Sequence, residues 1–188
     1  MTDWDRRYRE GEHTNEMPHP LVTQFASGIT SGRALDMACG TGRHALWLAE
    51  HGWEVTAVDN SRVGLQILRQ RAENKGVRIK TIAADLEAHE FVIEPEAYDL
   101  IVICNYLQRD LFPSICEGVR PGGIVIAVIA MTDADPEVKP MNPAFLLNPG
   151  ELRAEFNEWV VYHDVEGRPA ANPHGRATAQ LVARKQQR

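Results

Sequence analysis

The run Ala34-Leu-Asp-Met-Ala-Cys-Gly-Thr-Gly-Arg43 passes from strand-forming residues through a glycine turn straight into the helical stretch His44-Ala-Leu-Trp-Leu-Ala-Glu50. A strand, a tight glycine turn and a helix N-terminus in direct succession point backbone N–H groups at one spot, a ready-made ligand site. Gly40 and Gly42 matter there because a side chain would block close approach or forbid a positive φ. Asp36, on the strand just before the turn, adds a carboxylate to the same mouth. A carboxylate so placed repels a pyrophosphate and suits a cation or hydroxyl donors.

The pattern beyond this turn keeps alternating. Strands are predicted over 34–38, 54–59, 79–83, 98–104 and 124–130, with helices over 44–50, from the N-cap Ser61 to Asn74, and over 109–119. Val63, Ile67, Leu68 and Ala72 mark the apolar face of the second helix, and Pro121-Gly122-Gly123 is expected to stop the third. The segments 98–104 and 124–130 are apolar on both faces, as strands of a helix-covered parallel sheet are. Residues 86–96 are acidic and read as a loop. Thr132–Pro149, rich in proline, acid and asparagine, reads as a lid or substrate loop. A short helix over 151–156 and strands over 159–166 and 177–184 follow, the last two joined as an antiparallel hairpin. Upstream, Trp4 and Tyr8 are spaced to share one side of a helix, and Pro18 and Pro20 separate it from a second helical run, Leu21–Ala26. The expected fold is α/β, a doubly wound, mostly parallel seven-stranded sheet with a C-terminal antiparallel hairpin. Within one domain, 1–30 forms a helical cap, 31–130 the cofactor-binding core, and 131–188 the lid loop, short helix and hairpin.

Composition narrows the partners. A chain of 188 residues suits one domain, and its net charge of −6 argues against a nucleic-acid backbone as main partner. Cys39, Cys104 and Cys116 form no C-x-x-C pair, and the seven histidines make no H-E-x-x-H, so neither a disulfide framework nor a metal site is expected. The charged opening Met1-Thr-Asp-Trp-Asp-Arg-Arg7 lacks an apolar core, and no apolar run reaches membrane-spanning length. The expectation is a cytoplasmic protein, monomer or homodimer, with no membrane partner.

Two ligands compete for the glycine turn. Gly40-Thr-Gly42-Arg-His-Ala45 fits the dinucleotide fingerprint G-x-G-x-x-A, and Asp59 follows about 20 residues on, where a ribose-binding acid belongs. Open α/β sheets bind ligands at the carboxyl ends of their strands. Those ends carry Asp36, Asp59, Asp85 and Cys104-Asn105. Three acids around one crevice suit a cationic nucleoside, S-adenosylmethionine, better than a pyrophosphate.

Taken together, Leu35-Asp36-Met-Ala-Cys-Gly40-Thr-Gly42, Asp59, Asp85 and Arg120-Pro121-Gly122-Gly123 resemble the class I methyltransferases in residue type and order. Trp4-Asp5, Tyr8, Gly150-Glu151-Leu152-Arg153 and Leu181-Val-Ala-Arg-Lys185 are most similar to the tellurite-resistance group, related to thiopurine methyltransferases. The resemblance implies S-adenosylmethionine as cofactor, with Gly40 and Gly42 against its methionine part. It implies that Asp36 orders the amino group through water or the turn, that Asp59 accepts the ribose hydroxyls, and that Asp85 with Leu86 holds adenine. Trp4, Tyr8, Ala38, Arg43, Asn60 and Cys104 complete the implied cofactor set. Asn105 and Tyr106 would lie beside the reacting methyl, with Arg168 as a further catalytic candidate. Ala38 stands where the family often has glycine. Relatives carry a His-Arg pair after the strand at 159–166, where this chain has Gly167-Arg168, then His174 and Arg176.

The implied reaction is in-line methyl transfer to a small-molecule acceptor, a thiol, a metalloid oxyanion or another small anion. Arg43, Arg109, Arg168 and Arg176 are candidates for steering an anion, and His19 and His174 for facing the acceptor. The end of the fourth strand, Asn105-Tyr-Leu-Gln, differs from the Asn-Pro-Pro-Tyr of base-flipping amino-methyltransferases, so nucleic acid is not expected. A nicotinamide-dependent oxidoreductase and a catalytically silent S-adenosylmethionine-binding module remain as alternatives.

Overall fold

A computed structural model describes residues 2–133, 135, 138–168 and 175–187. Its centre is β1 (Arg33–Met37), buried along all but its first residue. β1 pairs in parallel with β2 (Glu54–Asp59) on one side and β4 (Tyr98–Cys104) on the other, placing Asp36 level with Ala57 and Val102. β3 (Ile79–Ala83) adds beyond β2, and β5 (Val119–Ala130) beyond β4. The hairpin closes the sheet: β7 (Thr178–Arg184) runs antiparallel beside β5, leaving β6 (Val160–Gly167) at the edge. The order β3-β2-β1-β4-β5-β7-β6 is the expected doubly wound sheet of seven strands. The chain reverses its winding between β1 and β4, so a crevice opens at the carboxyl ends of those two strands.

Helices cover both faces, and strand alternation sorts the core between them. In β4, Ile101 and Ile103 face Phe112, Ile115 and Phe156, while Leu100 and Val102 face the opposite layer with Leu65 and Leu68. α3 (Arg43–Glu50) and α4 (Arg62–Asn74) belong to that second layer, joined by α2 (Pro20–Ala26). α1 (Asp3–Arg9) lies on α4. Among the described residues no helix is long and apolar enough to cross a membrane.

The structure departs from the sequence reading most at the helix before β5, at the start of β5 and on the buried face of α4. The helix expected over 109–119 is a 3-10 turn at Arg109–Leu111 followed by α5 (Phe112–Gly118), and β5 already begins at Val119. Pro121-Gly122-Gly123 therefore lies inside a strand, at an irregularity between Tyr98 and Leu100 of the partner. Glycine is needed there because a Cβ on Gly123 would sit 2.8 Å from Val119 and 2.9 Å from the Asp99 carbonyl. The buried face of α4 is Gly64, Leu65, Leu68 and Ala72, with Val63 and Ile67 at its margin. The face is rotated because Tyr8 from α1 packs over Gly64. A short helix α6 (Glu151–Glu155) leads into the hairpin.

Candidate functional site

Three positive φ values in five residues turn the chain from β1 into α3: Ala38 at 49°, Gly40 at 56° and Gly42 at 80°. The Gly40 N–H donates to Asp59 Oδ2 at 2.8 Å, and the Ser61 N–H donates to Asp59 Oδ1 at 2.8 Å. The end of β2 is thus stitched to the glycine turn through one buried carboxylate. Burial pushes Asp59 above the usual carboxylate range, and the Ser61 and Gly40 amides work the other way. A Cβ on Gly40 would stand 2.6 Å from the Tyr8 hydroxyl, so glycine there both relieves the φ and makes room for the cap.

Gly42 and Asp36 stand behind the floor of this site, not in its walls. A Cβ on Gly42 would meet Leu68 at 2.2 Å, so this glycine lets α3 and α4 approach. Gly42 is also the N-cap of α3 and has no side chain to cap with. Asp36 does that work from the strand: its Oδ2 accepts the Ala45 N–H at 3.0 Å, a negative charge at a helix N-terminus. Its Oδ1 lies 3.8 Å from Nδ1 of His44, which is buried and lines the cavity. Burial disfavours the charged His44 ring, yet Cys104 and Asp36 outweigh it and raise the ring to about 9.

The cap is built by α1. Asp5 Oδ1 accepts from the Ser61 hydroxyl at 2.7 Å and the Val63 N–H at 3.2 Å, while its Oδ2 accepts the Thr2 N–H at 3.1 Å. The Ser61 hydroxyl, beside these amides, holds Asp5 below the usual carboxylate range. Trp4 stacks on Tyr8 with centroids 5.7 Å apart and meets His13 edge-on at 5.4 Å. Arg71 on α4 ties the cap to the turn, donating to the Thr41 carbonyl at 3.2 Å, to its hydroxyl at 3.1 Å and to the Thr14 carbonyl at 2.9 Å.

Between cap and sheet lies a cavity of about 580 Å³, a size suited to a nucleoside-sized ligand. Ala38, Gly40, Arg43, Asp59, Asn60, Asp85, Leu86, Cys104, Asn105 and Tyr106 line it, roofed by Trp4 and Tyr8. Asn105 adopts φ 58° and donates its N–H to the Val128 carbonyl at 2.8 Å, a left-handed position that asparagine tolerates. Tyr106 donates to Gln108 at 2.6 Å, and Gln108 in turn to the Leu86 carbonyl at 3.1 Å, joining the ends of β3 and β4. Asp59, Asp85 and Glu87 make one part of the wall acidic; Arg43 and His44 line the floor.

Arg168 does not line this cavity. Its guanidinium pairs with Asp133 at 2.7 Å and Asp135 at 2.6 Å, which fastens the start of the 131–150 segment to the end of β6. Arg109 binds Glu151 at 2.5 Å and the Ala144 and Leu146 carbonyls, and Arg176 donates to the Lys139 carbonyl. Of the four arginines considered for steering an anion, Arg43 alone lines the cavity. His19 caps α2 through the Leu21 N–H, and His174 lies outside the described residues. Among the described residues no group of histidine, cysteine and acid side chains could hold a metal ion. Sequence reasoning missed the anchoring roles of Asp5 and Arg71 and the place of His44 in the floor. For His44 the signal was present in the fingerprint itself, as the residue two beyond Gly42.

Residues 34–123 match the family described as a methyltransferase domain. The chain is 29% identical over 148 residues to the probable S-adenosyl-L-methionine-dependent methyltransferase TehB of Haemophilus influenzae, covering 75% of this chain and 50% of that protein. It spans about half the length of the curated relatives it matches. The crystal structure of TehB from Haemophilus influenzae superposes with a TM-score of 0.77 at 24% identity, covering 97% of this chain and 67% of that one. A Burkholderia thailandensis 1,6-didemethyltoxoflavin-N1-methyltransferase with bound S-adenosylhomocysteine superposes at 0.72 and 19% identity, covering 98% and 86%. The likeness to class I methyltransferases, TehB among them, is borne out in sequence and in fold.

Proposed function

We propose that this chain, a TehB-like class I methyltransferase by sequence and fold, transfers the methyl group of S-adenosylmethionine to a small anionic, thiol or metalloid acceptor. The observation that carries the reading is the convergence of Asp59, Asp85 and the Gly40 turn on one roofed cavity. The fit to a zwitterionic nucleoside is physical. Asp59 keeps an unused lone pair on each oxygen, Asp85 adds a second acid, and Arg43 offers donors to a negative group.

When bound, S-adenosylmethionine supplies an activated methyl on a sulfonium, so the chain has little covalent work to do. Asp59 and Asp85 hold the hydroxyls and base. Trp4 and Tyr8 close the roof and exclude water. Asn105 and Tyr106, at the end of β4, position the acceptor, and such orientation alone can supply roughly 7–11 kcal/mol of the barrier. A thiolate or oxyanion acceptor needs no general base. In this reading Arg168 is a fastener of the 131–150 segment and not a group that touches the acceptor, and Arg43 takes the anion-steering role.

The test is transfer of labelled methyl to a panel of thiols, selenite and tellurite. Incorporation into at least one of these, abolished by excess S-adenosylhomocysteine, is expected. Tight binding of S-adenosylhomocysteine with no transfer to any acceptor would leave a binding module in place of an enzyme.

A further inference from the structure

Ser61 is fully buried and serves two carboxylates at once. Its N–H donates to Asp59 Oδ1 at 2.8 Å and its hydroxyl to Asp5 Oδ1 at 2.7 Å. The same hydroxyl accepts the Gly64 N–H at 3.0 Å as the N-cap of α4. Asp59 lines the cavity; Asp5 and Ser61 do not. Asp5 stands at the third position of α1, where an acid ordinarily reaches back to cap its own helix. Its Oδ2 does so, accepting the Thr2 N–H at 3.1 Å. Its Oδ1 instead crosses to the start of α4, accepting from Ser61 and from the Val63 N–H, and the residue is only 6% exposed. Burying a carboxylate is costly, and capping alone does not require it. The neighbours of Asp5 say what the burial serves: Thr2, Asp3, Trp4 and, one turn on, Tyr8 all line the cavity.

Seven residues are too few to hold a helix in water, so α1 stays over the cavity by what ties it to α4. Asp5 supplies two hydrogen bonds of that tie, and Tyr8 packs over Gly64 beside them. A roof already in place when a ligand arrives spares the ligand the cost of ordering it. Resting on the donor assigned above, we infer that Asp5 is a positioning residue for donor binding, holding Trp4 and Tyr8 over the cavity through Ser61. Affinity for the nucleoside then depends on a carboxylate that the nucleoside never touches. Floor and roof hang from one residue, Ser61, whose N–H steadies Asp59 and whose hydroxyl steadies the cap. Such coupling is reciprocal, so a bound nucleoside tightens α1 by the factor that α1 tightens the nucleoside.

The experiment is calorimetry with S-adenosylhomocysteine at a temperature where parent and variants are all folded. Asp5→Ala is expected to weaken binding on the order of tenfold, the lower end of what losing hydrogen bonds to a charged group does to the closed form of the cap. Ser61→Ala, which keeps the N–H to Asp59 and loses only the hydroxyl, is expected to show a similar loss. Asp5→Asn, whose carbonyl keeps the bonds to Ser61 and Val63, is expected to recover most of it. In a Trp4→Ala background, where part of the roof is already gone, Asp5→Ala is expected to cost clearly less than it does in the parent. A residue that only stabilised the fold would lower Tm and leave these affinities alone. Unchanged affinity in Asp5→Ala or Ser61→Ala, or full additivity with Trp4→Ala, overturns the assignment of Asp5. Should the Asp5 and Ser61 variants not fold, the unmodified protein decides. Amide exchange over residues 3–9 should then slow with S-adenosylhomocysteine more than exchange over 151–155, and an equal change in the two overturns the assignment. Failure of the unmodified protein to bind S-adenosylhomocysteine overturns the donor reading as well, so the two failures are distinguishable.

Discussion

Asp59 carries two backbone hydrogen bonds and lies 7% exposed at the centre of the site, so its titration should be legible in both stability and binding. Burial raises it above 3.8. The folded state then holds its proton to higher pH than the unfolded chain, and stability from this group falls as pH rises from about 3.8 through the folded value. In the proposed reading the hydroxyls of the donor need the carboxylate, so binding is expected to move the opposite way. Affinity for S-adenosylhomocysteine should climb as pH rises through the folded Asp59 value. Asp59→Asn should flatten the part of both profiles that Asp59 contributes, and an unchanged profile in that variant would contradict a ribose-binding carboxylate at this position. Gly40→Ala is a second residue-scale test. It meets the cost of positive φ, about 1–2 kcal/mol, together with a Cβ 2.6 Å from the Tyr8 hydroxyl. Chemical denaturation should register at least the lower figure, and no loss would mean that the turn relaxes freely.

At the scale of elements, α1 is held by Asp5 more than by its own seven residues, which are too few to be helical alone. Asp5 is depressed by the Ser61 hydroxyl, so its contribution is present above the ordinary value of 3.8 and lost as pH falls through the lower folded one. Asp5→Ala should cost roughly 1.5–3 kcal/mol, the range for hydrogen bonds to a charged group. Amide exchange over residues 3–9 should quicken by more than tenfold on that basis, while the central strands stay protected. Equal protection of α1 in variant and parent would show that packing of Trp4 and Tyr8 suffices.

The strands of this sheet were readable because β-branched runs such as Tyr98–Cys104 allow little else, and because Asp36, Asp59 and Asp85 stand at or just past the carboxyl ends of β1, β2 and β3, the edge where the glycine turn begins. The partners of those residues were not readable. Arg168 is expected at the site from sequence, yet its acids lie 35 residues away at Asp133 and close by at Asp135, a pairing that periodicity does not encode. The face of α4 was rotated for the same reason: the residue that sets it, Tyr8, belongs to another helix. Long-range side-chain pairing is what a local pattern leaves out.

At the scale of the whole molecule, both faces of the central strands carry a buried apolar cluster among the described residues, and the buried acids Asp5, Asp36 and Asp59 gather at one end, by α1 and the glycine turn. A ligand that fills that end binds the folded state alone and stabilises it by mass action. At about 100 times its dissociation constant the gain is about 2.7 kcal/mol, or about 5–10 °C for a chain of this size. The most direct measurement is a pair of titrations of the unmodified protein, with S-adenosylhomocysteine and with NAD(H), followed by thermal denaturation. Saturable binding of S-adenosylhomocysteine, a rise in Tm of that order and no response to NAD(H) are the predicted results. Binding of NAD(H) with none of S-adenosylhomocysteine would contradict the claim that acids at the strand ends hold a cationic nucleoside over the glycine turn.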